Sequence, residues 1–139
     1  MSNTLPEAET VRHILRSYRT VAVVGLSPNP SRASFEVAQY MQAQGWRIIP
    51  VNPNATEILG EKAYPSLLDA AKHERIALVN CFRNSADIAP IVDEAIAIGA
   101  LAVWMQLGVE NAPAAAAAQA AGLRVVQNRC LMVEHARGN

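Results

Sequence analysis

Residues 25–34 read Gly-Leu-Ser-Pro-Asn-Pro-Ser-Arg-Ala-Ser, and their polar members are of the types that hold an anion. The β-branched run 20–24 leads into this stretch, and a helical pattern with Val37, Ala38 and Met41 on one face leads out of it. A strand ending at Gly25, a hydroxyl-rich loop and a helix N-terminus together make a phosphate-binding arrangement. Backbone N–H groups and the helix dipole attract the anion, while Ser27, Ser34 and the Arg32 guanidinium complete its coordination. The stretch is not the dinucleotide fingerprint G-x-G-x-x-G, because Gly25 stands alone. It is not a P-loop either, because no Gly-Lys-Ser/Thr follows.

The elements that must position this loop are legible from hydrophobic patterning. Five apolar, β-rich runs at 21–25, 47–51, 76–81, 101–105 and 123–127 alternate with helix-compatible segments. Gly45, Gly99 and Gly122 each stand where a helix ends and a strand begins. Ser66 with Asp69 reads as a capping box, Ser85 or Asp87 as the cap of a helix carrying Ile88, Ile91, Val92, Ala95 and Ile96, and Asn111 with Pro113 as the start of an alanine-rich helix over 114–121. Strands that are apolar throughout, alternating with helices, predict an α/β fold: a doubly wound, five-stranded parallel sheet with helices on both faces. Ahead of it, Val11, Ile14, Leu15 and Tyr18 form the apolar stripe of a helix over about 6–18 that packs on the sheet. Residues 52–64 read as one irregular loop. The 139 residues suffice for a single domain, 1–139, with a core that needs no disulfide or metal.

Composition excludes several classes. Hydrophobic residues make up 51% and charged residues 17%, with a formal net charge of zero, which argues against nucleic-acid binding. No apolar run approaches the roughly 18 residues of a membrane span. Cys81 and Cys130 lack C-x-x-C spacing and read as reduced core thiols of a cytoplasmic protein.

In doubly wound sheets ligands bind outside the carboxyl ends of the strands, where the winding reverses. Past those ends come the loop 27–34, then Asn52-Pro53-Asn54, then Phe82-Arg83-Asn84-Ser85, then Gln106-Leu107-Gly108. Arg32 and Arg83 meet there on an edge whose strand-end residues hold no Asp, Glu or His before Glu110. Two arginines on an acid-free edge point to an anion between them. A nicotinamide dinucleotide site needs an acid at the end of the second strand to hold ribose hydroxyls, and this chain has Asn52 there. Catalytic and metal-ligating groupings are absent by spacing. His13 and His73 lie in helical segments, and Cys130, Glu134 and His135 are sequence neighbours near the C-terminus, an arrangement that rarely aligns a nucleophile with its base.

Taken in order, Val23-Val24-Gly25-Leu26-Ser27 with Pro28, Arg32 and Ser34, then Pro50-Val51-Asn52-Pro53, Phe82-Arg83-Asn84-Ser85, Trp104-Met105-Gln106-Leu107-Gly108, and Arg129-Cys130 with Glu134-His135 resemble the small stand-alone CoA-binding domain proteins. They are similar in turn to the CoA-binding domain of the succinyl-CoA synthetase α subunit. The resemblance covers about residues 10–135. It implies a Rossmann-like fold that binds coenzyme A across the strand ends; with no acid–base pair legible, the reading is binding without catalysis, as a carrier, sensor or regulatory domain. By position it implies that Gly25, Ser27, Arg32 and Ser34 hold the pyrophosphate. Asn52 and Pro53 lie beside the adenosine, Phe82, Arg83 and Ser85 border the nucleotide or the pantetheine arm, and Gln106 and Gly108 face the pantetheine amides. The chain departs from the pattern twice. Asn128 replaces the Asp that commonly precedes Arg-Cys. Asn54-Ala55 stands where the synthetase domain carries a lysine for the 3′-phosphate, which leaves Lys62 as the nearest substitute. The readings this one competes with are an NAD(P)- or acyl-CoA-dependent enzyme and a degenerate Rossmann scaffold that binds protein.

Overall fold

The computed structural model describes residues 6–138. In chain order the elements are α1 (Glu7–Ser17), β1 (Thr20–Val24), α2 (Ala33–Ala43), β2 (Arg47–Val51), β3 (Glu57–Ile58), β4 (Glu61–Lys62), α3 (Leu67–Ala71), β5 (Leu78–Cys81), α4 (Ile88–Ala97), β6 (Ala102–Met105), α5 (Ala112–Ala120), β7 (Arg124–Val126) and α6 (Leu131–Ala136). Five strands form one sheet in the order β2-β1-β5-β6-β7, all neighbours parallel. The chain first steps outward from β1 to β2, then returns to the other side of β1 and continues through β5, β6 and β7. The winding therefore reverses between β1 and β5, and the carboxyl ends of those two strands open the crevice in which such sheets bind ligands.

Strand alternation divides the core into two layers. Ala22, Val24, Val79, Cys81, Val103 and Met105 face α3, α4 and α5. Val21, Val23, Leu78 and Trp104 face the other way, against Val11 and Ile14 of α1, Val37 and Met41 of α2, and Leu131 of α6. The predicted N-terminal helix thus packs on the sheet through the stripe that its sequence shows. Trp104 is fully buried, and its indole N–H donates to the carbonyl of Arg129 at 2.7 Å, so it belongs to the core.

Capping follows the sequence in two of three cases. Ser66 Oγ accepts from the Asp69 N–H at 3.1 Å, and Asn111 Oδ1 accepts from the Ala114 N–H at 3.0 Å. At α4 the expectation needs correcting. Asp87 occupies the N-cap without a side-chain cap bond, and the Ser85 hydroxyl instead accepts from the Glu110 N–H at 3.0 Å. The stretch 52–64 is likewise more than a loop, since Glu57–Ile58 and Glu61–Lys62 pair antiparallel. Leu59 and Gly60, both at positive φ, turn the hairpin between them. Leu-Gly is not a standard signal for a two-residue turn, which is why patterning misses it. Among the described residues no helix is long and apolar enough to cross a membrane.

Candidate functional site

The strand-end loops are held by their own side chains. Asn29 donates its N–H to Ser27 Oγ at 3.1 Å, the Ser31 N–H donates to Asn29 Oδ1 at 3.0 Å, and the Ser27 N–H donates to Ser34 Oγ at 3.0 Å. Each of the two serine hydroxyls thereby accepts a backbone proton and keeps its own for donation. Ser34 is buried beneath the loop it braces. Asn52 ties the first loop to the second, its Nδ2 donating to the Leu26 carbonyl at 2.9 Å and its Oδ1 accepting from the Asn54 N–H at 2.8 Å. The result is a loop shaped before any ligand arrives.

Arg32 sits at the N-cap of the 11-residue helix α2 and supplies no side-chain cap bond. The helix therefore starts with first-turn N–H donors that no capping side chain satisfies, the situation in which an anion binds. The Arg32 side chain is exposed and has no ion-pair or hydrogen-bond partner among the described residues.

At the switch point the two strand ends touch. Gly25 donates to the Val51 carbonyl at 3.0 Å, and Phe82 donates to the Val24 carbonyl at 2.9 Å. A Cβ added to Gly25, at φ +87°, would lie 2.5 Å from the Phe82 carbonyl oxygen and 3.1 Å from Arg83 Cδ. Glycine is required by this close approach of two backbones.

Two cavities flank the contact. The first, about 530 Å³, lies on the α3–α4 side and is walled by Gly25, Ser27, Asn52, Pro53, Arg83 and the start of α4. The second, about 580 Å³, lies between α2 and α6 and is walled by residues that include Val37, Phe82, Arg83, Gln106, Cys130 and Met132. Arg83 belongs to both walls and is half exposed, with Asp87 4.0 Å from its guanidinium. Of the residues singled out from sequence, Arg32, Ser34, Ser85 and Gly108 line neither cavity. The Gly108 N–H donates to Asn128 Oδ1 at 2.7 Å, and Asn128 itself adopts φ +57°. Asn128 thus clasps the loops after β6 and β7 and uses the left-handed conformation that asparagine tolerates.

Three carboxylates enter the cavities that a reading of strand ends alone does not find. Asp87 and Glu94, from the start and body of α4, line the first, and Glu36 of α2 lines the second. The edge is free of acid along its strand ends but not along its helices, and a helix face presents residues several positions past the loop. Lys62 is not part of either wall. Its ammonium sits 5.2 Å over the Tyr64 ring.

The terminal Cys-Glu-His grouping is dispersed by its helix. His135 Nδ1 lies 2.9 Å from the Tyr40 hydroxyl on α2, while Glu134 is buried against Arg129 and Arg137. Cys130 remains on the wall of the second cavity, and Cys81 is fully buried with its thiol pKa pushed up to about 12 by desolvation. His13 and His73 line neither cavity; the His73 ring stacks on Tyr64. No cluster of metal-ligating residues exists among the described residues.

Comparison with known proteins finds a family and relatives of the same fold. The family model described as CoA binding domain matches residues 19–136. The chain is 37% identical to the uncharacterized protein YneT of Bacillus subtilis (strain 168), over 94% of this chain and 96% of that one. A solved structure of a hypothetical protein from Pyrococcus horikoshii OT3 superposes with a TM-score of 0.89 at 40% identity, covering 99% of this chain and 98% of the other. A shorter match, 36% over 63 residues, links 44% of this chain to 9% of an ADP-forming acetate–CoA ligase of Archaeoglobus fulgidus. The family match begins just before β1 and ends at the last residue of α6, so it takes in every loop that surrounds the β1–β5 crevice. The chain belongs to the CoA binding domain family.

Proposed function

We propose that this protein binds coenzyme A or an acyl-CoA at the β1–β5 crevice and acts without chemistry of its own, as a carrier, sensor or regulatory domain. One observation carries the reading: the uncapped N-terminus of α2, bearing an unpaired Arg32, stands beside the point where the sheet reverses. Diphosphate is the ligand group that such an N-terminus and a free guanidinium attract. In this reading Gly25, Ser27, Arg32 and Ser34 hold the pyrophosphate, with the serines donating the protons that loop bracing leaves free. Asn52 and Pro53 border the adenosine in the first cavity, where Asp87 and Glu94 suit the adenine amino group and the free ribose hydroxyl. Phe82, Arg83 and Ser85 guide the arm over the sheet edge toward Gln106 and Gly108.

The absence of turnover is part of the proposal. His135 Nδ1 is engaged with the Tyr40 hydroxyl, and among the described residues no base is hydrogen-bonded to the Cys130 thiol. A general base must lie within hydrogen-bonding reach of the proton it takes.

Native mass spectrometry of freshly purified protein tests the reading. The expected spectrum carries a co-purified CoA or acyl-CoA adduct that is lost on denaturation. Protein that stays ligand-free after equilibration with excess CoA would favour the protein-binding scaffold instead.

A further inference from the structure

The second cavity, toward which the arm of CoA runs, has an apolar character that a terminal thiol does not use. Its walls are largely apolar, with Val37 from α2, Phe82 after β5, Val109 after β6 and Met132 from α6. Gln106 lines the same cavity while remaining about 94% buried (6% exposed). Its Oε1 is held by the N–H of Leu131 at 3.3 Å, which fixes the orientation of the side-chain amide. Nε2 is then left as a donor on an apolar wall, with no partner among the described residues. Buried amides are normally satisfied, so this end of the cavity is built for a polar acceptor carried on an apolar group.

We propose that this cavity is an acyl pocket that selects short-chain acyl-CoA thioesters over free CoA, with the thioester carbonyl accepting from Gln106 Nε2. The proposal rests on the CoA reading above. Arg83, shared by both cavities, connects the nucleotide end of the crevice to this one. A free thiol offers neither the carbonyl that Nε2 lacks nor the carbon chain that the walls would cover. An acetyl or butyryl thioester offers both. If no protein group recognised the sulfur end, CoA and acetyl-CoA would bind with similar affinity. The cavity supplies the reason for a difference.

The test compares CoA, acetyl-CoA and butyryl-CoA by calorimetry on wild type, Gln106→Glu and Met132→Trp. Wild type should bind butyryl-CoA at least tenfold more tightly than CoA. Gln106→Glu keeps an oxygen for the Leu131 N–H but replaces the donor, and should erase the ratio. Met132→Trp narrows the cavity from α6, away from the nucleotide cavity, and should lower butyryl-CoA affinity to that of CoA while leaving CoA affinity within about threefold.

Cys130 provides an independent readout, because Cys81 is buried and its thiol held protonated. Alkylation of Cys130 by iodoacetamide should slow more under saturating butyryl-CoA than under saturating CoA. Equal affinities for all three ligands with equal protection of Cys130 would overturn the acyl pocket and leave the CoA reading standing. No binding of any of the three would overturn both.

Discussion

Replacing Gly25 with alanine is expected to cost roughly 2–5 kcal/mol of stability, the sum of a strained backbone and a forced packing shift. The strain arises from φ +87°, a conformation that L-residues rarely adopt. The shift arises because the new methyl would sit 2.5 Å from the Phe82 carbonyl oxygen, and a backbone atom in a sheet cannot rotate away as a side chain can. For a domain of this size the melting temperature should fall by roughly 10 °C. The matched control is Gly45→Ala, at φ +91° with nothing within 4 Å of the added carbon. That variant carries the conformational penalty alone, about 1–2 kcal/mol. CoA affinity should also fall in Gly25→Ala and hold in Gly45→Ala, because only the first pushes the Ser27–Arg32 segment away from Arg83. Equal melting temperatures for the two variants would show that the β1 and β5 ends part without cost.

The second large effect concerns Arg32. If its guanidinium makes charge-assisted bonds to the pyrophosphate, Arg32→Ala should cost about 1.5–3 kcal/mol of binding, or roughly 10- to 150-fold in affinity. Arg32→Lys should recover only part, since it restores charge without the planar fork. The fold should be indifferent, because the exposed side chain has no partner among the described residues to lose. Titrating CoA into wild type and both variants, with melting temperatures in the same buffer, checks both halves. Unchanged affinity in the alanine variant would remove Arg32 from the site.

The fold is legible because its signals are local. Runs such as Val21-Ala22-Val23-Val24 and Ala102-Val103-Trp104-Met105 are apolar at every position, as strands covered on both faces must be. The glycines that close α2, α4 and α5 mark where each helix hands over to the next strand. What local pattern cannot show is any feature made by residues brought together from afar. The β3–β4 hairpin depends on Leu59 adopting φ +55°, a conformation leucine does not advertise. Asn128 acts through Gly108, twenty residues away, and nothing in its own neighbourhood announces that. The same holds for the candidate site. The loop carrying Gly25, Ser27 and Arg32 is contiguous and can be read directly. The second cavity joins Val37 to Met132 across most of the chain, and its amide donor is defined by a bond between Gln106 and Leu131. Asp87, legible only as a helix cap, and Glu94 reach the crevice from the side of α4 rather than from a strand end, so strand-end patterning does not place them there.

On the proposed function this crevice takes CoA rather than a nicotinamide dinucleotide. Calorimetric titration of one protein preparation with CoA and with NAD decides between the two ligands. Asn52 stands at the end of β2, where an acid would hold the ribose hydroxyls of NAD, and its amide is already engaged with Leu26 and Asn54. The expected result is saturable CoA binding at least tenfold tighter than any binding of NAD. NAD binding more tightly than CoA would contradict it.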